Sequence, residues 1–246
     1  MTVVERIGYA AGTALSLVLV VGSLTHRLPL DITEVLGFVT GAWGVWLTVK
    51  RNIWNWPIGI LNNGFFLLLF VRAHLFADSS LQVVYLVLEV LGWYWWLRGG
   101  TGRTELPISR TRAGATLALA AIGVVATGVM TVGLARVDDA APFWDALTTV
   151  LSLIAQYMLT RKLLENWTVW IAADIVYVGL YAAKGLPLTA VLYALFLAMC
   201  VAGLLQWRAA LRAQAPAAAI PASRRATAGA AAGEDGVPVD LGVAHV

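Results

Sequence analysis

Two carboxylates lie inside apolar stretches of the chain, where charge is costly. Glu89 and Asp174 fall near the centres of predicted helices at 79–97 and 166–183. An ionised side chain at the centre of a membrane helix costs about 2.5–3.5 kcal/mol on insertion scales. We therefore expect both groups to line a polar cavity that binds a substrate. The alternative is that each only hydrogen-bonds a neighbouring helix.

Asp174 interrupts a stripe of aromatic residues. Trp167, Trp170, Asp174, Tyr177 and Tyr181 follow one another in steps of 3, 4, 3 and 4, which places them on one face of a helix. Aromatic faces stack on flat rings and attract cations. The stripe predicts a binding surface for a flat ligand with a polar or positive part. Ordinary helix packing is the competing interpretation.

Further polar and aromatic residues in apolar segments are predicted to contact the ligand, each weighed against a simple interhelical contact. With the two carboxylates and the stripe, the predicted substrate-binding set is Gln156, Asn166, Trp167, Trp170, Asp174, Tyr177, Asn63, Gln82, Glu89 and Trp46. Other tryptophans at predicted helix ends (Trp93, Trp95, Trp96, Trp207 and Trp144) are expected to form aromatic belts at the membrane surfaces.

The remaining residues exclude several kinds of function. One cysteine and three scattered histidines make no cluster with metal-ligand spacing, so we expect no metal and no cofactor. No nucleophile–base pair and no Walker sequence appears, so the chain is predicted not to be an enzyme. With 60% hydrophobic and 13% charged residues, it lacks the roughly 25% charge of a soluble domain. We therefore expect the lipid bilayer as a partner and no nucleic acid.

The hydrophobic pattern predicts an all-α polytopic membrane protein with about eight transmembrane helices, since about 20 apolar residues cross a bilayer. The predicted spans are 7–25, 33–50, 55–73, 79–97, 114–135, 141–160, 166–183 and 187–208. Thirteen of the 17 Lys and Arg residues fall in the two termini and in the alternate loops that lie on the same side of the membrane as the termini. The positive-inside bias places that set, and both termini, in the cytoplasm.

The second half of the chain resembles the first half at one fixed offset. The offset that takes Asn55–Trp56 to Asn166–Trp167 also takes Gly92 to Gly203 and Trp96 to Trp207. One helix separates the two three-helix units, so they share an orientation and form a parallel repeat, an architecture of transporters. The predicted organisation is an extra N-terminal helix (1–32), a first repeat (33–98), a linker with a connecting helix (99–140), a second repeat (141–208) and a disordered cytoplasmic tail (209–246).

Several motifs resemble the PnuC family of nicotinamide riboside transporters. They are Asn55–Ile60, Leu81–Tyr85 and Gly92–Trp95 in the first repeat, and Gln156–Tyr157, Thr160–Lys162, Glu165–Trp170 and Asp174–Tyr177 in the second. The resemblance implies a SWEET-like 3+1+3 fold in a bacterial inner membrane. It also implies facilitated uptake of nicotinamide riboside for NAD biosynthesis, with trapping by cytoplasmic phosphorylation. Trp167 and Trp170, then Gln156, Asn166 and Asp174, are the residues that the resemblance places in the site.

Other functions stay open at this point. Relatives of the family carry thiamine, riboflavin or deoxynucleosides, and thiamine is also flat and cationic. A proton-coupled symporter would use Glu89 or Asp174 as its titrating group. A SWEET-type sugar carrier would need fewer tryptophans, and a non-transporting scaffold would have no use for two buried carboxylates. Association into a homo-oligomer is open, because no helix face favours a particular number of copies.

Overall fold

The computed structural model describes residues 3–29, 32–72, 74, 76–137, 141–185 and 187–218. Within these ranges the chain is helical, and only an isolated bridge joins two extended residues. The helices are α1 (Val3–Leu24), α2 (Ile32–Val49), α3 (Asn55–Arg72), α4 (Phe76–Arg98), α5 (Ala113–Ala135), α6 (Pro142–Thr160), α7 (Asn166–Ala183) and α8 (Pro187–Ala218). The eight predicted segments are therefore all helices.

The surface of the bundle is apolar. In the described part of the chain, three helices are long and apolar enough to cross a membrane, at 78–98, 113–135 and 189–214. Only 6% of the most apolar stretch of α5 is buried, and Leu117 and Val124 are more than 70% exposed. Large exposed apolar surfaces mark membrane or protein contacts. The chain is therefore a multi-pass membrane protein whose outer surface suits lipid.

The helices of the two predicted repeats have matching boundaries. Helices α2 and α6 end at Val49 and Thr160, and α3 and α7 begin at Asn55 and Asn166, so both pairs are separated by the repeat offset. The turns between them also match, because Arg51 and Lys162 both adopt positive φ, at 57° and 53°. Each turn closes with the two backbone hydrogen bonds of a Schellman motif, which satisfy the last carbonyls of the preceding helix.

Two tryptophans hold the repeats together by reciprocal hydrogen bonds. The Trp96 indole donates to the Leu159 carbonyl (3.0 Å), and the Trp207 indole donates to the Thr48 carbonyl (3.1 Å). The offset that takes Trp96 to Trp207 also takes Thr48 to Leu159. When the same contact occurs once from the first repeat to the second and once from the second to the first, the two repeats are related by a two-fold axis. The arrangement fits the predicted parallel repeat; its SWEET-like classification stays a prediction.

The same tryptophans correct one expectation. Trp96 and Trp207 are 1% and 0% exposed, and their ring centroids are 5.8 Å apart, so they belong to the core and not to an aromatic belt. Glycine explains how such large rings fit between helices. A Cβ on Gly203 would lie 2.6 Å from the Trp167 ring, and a Cβ on Gly92 would overlap Trp56. Each repeat thus buries a Trp–Gly–Trp cluster.

The linker after α4 is bound to the α6–α7 turn. Ser109 exchanges two backbone hydrogen bonds with Lys162 and Leu164 of that turn, and Ile108 is buried beside it. The Lys162 ammonium meets the Glu105 carboxylate at 2.7 Å and lies 4.4 Å from the centre of the Trp96 ring. Burial lowers the pKa of Lys162, and the bond to Glu105 opposes that shift. The linker therefore supplies the counter-charge of a buried lysine.

The predicted start of the disordered tail at residue 209 is wrong. Helix α8 continues to Ala218, because residues 209–218 are mostly alanine, the strongest helix former. The rest of the predicted tail, 219–246, lies outside the described residues.

Candidate functional site

A cavity of about 400 Å³ opens between the two three-helix units. That volume falls within the roughly 300–1,000 Å³ of small-molecule sites. Polar side chains enter it from both units. The lining residues are Thr40, Gly41, Gly44, Val45, Thr48, Asn55, Gly59, Asn62, Asn63, Phe66, Gln82, Tyr85 and Glu89 from the first unit, and Ser152, Gln156, Leu159, Trp167, Trp170, Asp174, Tyr177, Tyr193, Phe196 and Cys200 from the second.

Equivalent positions of the two repeats line the cavity. Nine of the ten lining residues from the second unit correspond, at the repeat offset, to a lining residue of the first. The side chains differ across that relation. Asn63 corresponds to Asp174, and Glu89 corresponds to Cys200, so each unit contributes one carboxylate from a different helix. The two walls therefore have the same shape and different chemistry, which suits an asymmetric ligand.

Glu89 reaches the cavity from α4 and contacts both units. Its carboxylate accepts a hydrogen bond from the Gln156 amide at 3.1 Å, across the repeat interface. Gly59 of α3 makes room for it, because a Cβ at that position would lie 2.6 Å from the carboxylate. The glycine corresponds to Trp170 in the second unit. A carboxylate in one wall thus lies where the other wall carries an indole ring.

Asp174 lies in the opposite wall, on α7. It is 5% exposed, accepts a hydrogen bond from the Cys200 thiol, and keeps one carboxylate oxygen without a hydrogen-bond partner in the described chain. A buried polar atom without a partner is costly, and such atoms mark places where a ligand or water binds. That oxygen is therefore a natural acceptor for a substrate.

The aromatic stripe forms the wall beside Asp174. Trp167, Trp170 and Tyr177 line the cavity, as predicted. Tyr181 does not line it and stacks with Tyr177 and Tyr193, with ring centroids 6.0 and 5.2 Å away. Tyr177 and Tyr193 stack most closely, at 4.4 Å, and so join α7 to α8. The stripe therefore contains both a binding surface and a packing contact.

The structure brings most of the predicted site residues together. Eight of the ten line the cavity: Gln156, Trp167, Trp170, Asp174, Tyr177, Asn63, Gln82 and Glu89. Asn166 is fully buried behind this surface, where its amide donates to the Leu163 carbonyl at 2.6 Å. It begins α7 and positions the aromatic stripe from outside the cavity.

Trp46 lies away from the cavity, which corrects its predicted place. Helix α2 turns Gly41, Gly44 and Thr48 towards the cavity, and these positions form one face of the helix. Trp43 and Trp46 lie on another face and contact α1 through Gly12 and Gly8. The sequence shows that these tryptophans are deep in a helix but not which neighbour each one faces.

Five lining residues of the second unit escaped the sequence prediction: Ser152, Leu159, Tyr193, Phe196 and Cys200. The internal repeat contains the signal that would have found three of them. Tyr193, Phe196 and Cys200 correspond to Gln82, Tyr85 and Glu89, of which Gln82 and Glu89 belong to the predicted set and Tyr85 ends the Leu81–Tyr85 motif. Ser152 hydrogen-bonds to Tyr85, so it also joins the two units.

Chemically, the cavity offers groups that bind ligands. It combines two carboxylates, amides, hydroxyls and aromatic faces. Among the described residues no group of His, Cys, Asp and Glu has the arrangement of a metal site. Carboxylates and aromatic faces bind cations, and amides and hydroxyls bind other hydroxyls.

Comparison with known proteins agrees with this architecture. The profile of a family described as nicotinamide mononucleotide transporter matches residues 31–209, which cover both three-helix units and the helix between them. The chain belongs to this transporter family. The matched region begins just before α2, so α1 lies outside it.

Individual relatives are transporters of vitamins. The nicotinamide riboside transporter PnuC of Escherichia coli is 28% identical over 200 residues, covering 71% of this chain and 84% of the relative. The riboflavin/roseoflavin transporter RibM of Streptomyces davaonensis is 29% identical over 181 residues, covering 72% and 82%. Two relatives of similar identity are thus named for different vitamins.

A solved structure shares the fold. The crystal structure of the vitamin B3 transporter PnuC superimposes with a TM-score of 0.66 at 24% identity, covering 86% of this chain and 93% of that one. The all-helical transporter fold expected from the sequence is confirmed by this match.

Proposed function

We propose that the chain carries nicotinamide riboside into the cell by facilitated diffusion. The observation that supports this most directly is a cavity between the repeats that combines carboxylates with aromatic walls. Nicotinamide riboside has a positive pyridinium ring and ribose hydroxyls. The aromatic faces suit the ring, Asp174 or Glu89 suits its charge, and the amides suit the ribose. Phosphorylation in the cytoplasm would then trap the product.

The relatives support the same substrate class. The name nicotinamide riboside transporter comes from the E. coli relative, and this chain covers 84% of its length. Eight of the ten predicted site residues stay assigned to the substrate site in this proposal. Of the other two, Asn166 positions the aromatic stripe and Trp46 faces elsewhere. We propose transport and no enzymatic activity, since the relatives are named as transporters.

Riboflavin is the second candidate, since RibM is as similar to this chain as PnuC is. A flavin carries no positive charge for Asp174 to meet, although its flat ring would stack on the same aromatic walls. Thiamine is flat and cationic and would use both features. The carboxylates therefore distinguish the two cationic vitamins, nicotinamide riboside and thiamine, from riboflavin.

Uptake into liposomes tests the proposal. Purified protein is reconstituted without any ion gradient, and entry of labelled nicotinamide riboside is measured against unlabelled thiamine and riboflavin. Saturable uptake blocked only by nicotinamide riboside is expected. Uptake blocked best by riboflavin would replace the substrate, and uptake that requires an imposed proton gradient would replace facilitated diffusion by symport.

The proposed location is the bacterial inner membrane, with both termini in the cytoplasm. Support comes from the positive residues, which gather at the ends of the helices expected to face inwards. Reporter domains that are active only in the cytoplasm should be active at either terminus. A reporter active at only one terminus would mean an odd number of spans and would contradict this topology.

A further inference from the structure

A second cavity lies outside the substrate site. It has a volume of about 210 Å³ and is formed by α1, α2 and α8. Its walls are mostly apolar, and they include Gly8 and Gly12 of α1, Trp43 and Trp46 of α2, and Leu195 and Met199 of α8. We call this space the α1 groove. Helix α2 separates it from the substrate cavity, because α2 presents different faces to the two spaces.

Small residues on α1 create the α1 groove. Gly8 and Gly12 bring the backbone of α1 to the indole rings of α2, with a Cβ on Gly12 lying 3.4 Å from Trp43. Trp43 and Ser16 are hydrogen-bonded within the wall, whereas the buried Trp46 indole N–H has no hydrogen-bond partner among the described residues. The Trp43 indole donates to the Ser16 hydroxyl (3.1 Å), and that hydroxyl donates to the Gly12 carbonyl (2.8 Å). What remains for an occupant is an apolar surface with flat aromatic sides and one unpartnered indole N–H.

The two ends of the α1 groove differ in charge. The Lys50 ammonium lies 5.0 Å from the centre of the Trp46 ring, and exposed Arg6 stands two residues before Gly8. The other end, near Leu19 and Phe38, is apolar. Positive charge therefore gathers at the end of the groove that the charge bias predicts to face the cytoplasm.

The length of the α1 groove matches one leaflet of a bilayer. Gly8 and Leu19 are eleven residues apart on α1, which at 1.5 Å per residue is about 16 Å. The hydrocarbon core of a bilayer is about 30 Å thick. An occupant that lies along the groove thus has its head at the membrane surface and its tail near the midplane.

We propose that the α1 groove binds an anionic phospholipid of the inner leaflet. One acyl chain lies along the groove between the indole rings of α2 and Leu195 and Met199 of α8, and the phosphate lies beside Lys50 and Arg6. Basic pockets between transmembrane helices on the cytoplasmic side are known to bind anionic headgroups. The apolar wall and the basic end together select a lipid over a free phosphate or a neutral acyl chain. The lipid would pack against α2 from behind the substrate cavity.

Native mass spectrometry of the full-length protein in detergent tests this assignment. Phosphatidylglycerol and phosphatidylcholine with the same acyl chains are titrated separately. The wild type is expected to retain one phosphatidylglycerol with about tenfold preference over phosphatidylcholine. Gly12→Leu should lose that lipid, because the leucine side chain fills the groove. Gly128→Leu on α5 is the matched control, since a Cβ there meets nothing within 4 Å.

Charge variants test the headgroup separately. Lys50→Gln should bind both lipids alike, and Lys50→Arg should keep the preference; Arg103→Gln, in the α4–α5 linker, should behave as wild type. Ala42→Leu blocks the groove from α2 and replaces Gly12→Leu if that variant does not fold. Equal binding of the two lipids by the wild type would overturn the proposal. Displacement of the lipid by glycerol phosphate alone would also overturn it. The same holds if Gly12→Leu loses an oligomer while its lipid binding is unchanged.

Discussion

At the scale of single residues, Asp174 is the buried carboxylate that lacks a hydrogen-bond partner for one of its oxygens among the described residues. It is buried, it accepts from the Cys200 thiol, and one of its oxygens has no partner in the described chain. Glu89, in contrast, is already bonded to the Gln156 amide. The two carboxylates therefore have different tasks, and Asp174 is the better candidate to meet a positive charge on the substrate.

Asp174→Asn is expected to weaken the binding of cationic nicotinamide riboside at least tenfold, which corresponds to about 1.4 kcal/mol. A neutral, reduced analogue should lose much less, because it never paired with the charge. Binding of both ligands to purified protein measures this difference. Exposed Asp78 supplies the control, as Asp78→Asn should leave both affinities unchanged. Equal losses for the two ligands would exclude charge pairing at Asp174.

Trp170 is the indole that a flat ligand would contact, since it lines the cavity on the stripe that contains Asp174. Trp170→Ala should cost about 1–3 kcal/mol of affinity, by analogy with the stacking of bases on aromatic side chains. The same substitution at exposed Trp93 should change nothing. If the folded Trp170→Ala protein binds nicotinamide riboside like the wild type, this indole is not part of the site.

At the scale of elements, two helices can pack closely around a tryptophan ring only where the facing residue is glycine. Trp56 packs over Gly92, and Trp167 packs over Gly203, with each ring at 5.2 or 5.5 Å from a second tryptophan. A side chain at either glycine would push two helices of the same repeat apart. This explains why Gly and Trp recur together in both units.

Gly203→Ala is expected to destabilise the protein by about 1–3 kcal/mol, the usual cost of overpacking a core. Gly179→Ala on the exposed α7 surface should instead be neutral or stabilising by up to about 1 kcal/mol, because alanine favours the helix and its Cβ meets nothing within 4 Å. Thermal unfolding in detergent compares the two variants. A Gly203→Ala protein as stable as Gly179→Ala would show that α8 can move away from Trp167 without cost.

At the scale of the whole molecule, the two repeats are joined by contacts that occur twice. Trp96 of the first unit bonds to α6, and Trp207 of the second bonds to α2 at the equivalent carbonyl. These carbonyls belong to the last turns of their helices and already accept the Schellman hydrogen bonds from the Arg51 and Lys162 amides, so each indole is a second donor. The indole bonds therefore link the two units on either side of the cavity.

Trp207→Phe keeps an aromatic ring and removes only the donor. It should destabilise the protein by about 0.5–1.5 kcal/mol, because the Thr48 carbonyl loses one of its two donors and keeps the Arg51 amide. Trp96→Phe should have a similar effect through the Leu159 carbonyl. Thermal unfolding of both variants, with Trp93→Phe as the surface control, checks this. A clear effect in only one of them would mean that the two contacts are not equivalent.

The membrane class, the eight helices and the repeat could all be predicted from the chain alone, because each is a property of spacing along it. The length of the apolar runs predicted the spans, and one fixed offset paired Asn55 with Asn166 and Trp96 with Trp207. Helical periodicity also placed Asp174, Trp170 and Tyr177 on one face of α7, since periodicity is enough to settle that relation.

What each helix face meets could be learned only from the packed bundle. Trp96 and Trp207 lie at the ends of the predicted spans, where an aromatic belt was expected, but reciprocal contacts between the repeats bury them. Trp46 is deep in α2, yet α1 covers the face on which it lies. The physical reason is that periodicity fixes the relative directions of side chains on one helix, whereas the neighbour of each face depends on how all the helices pack.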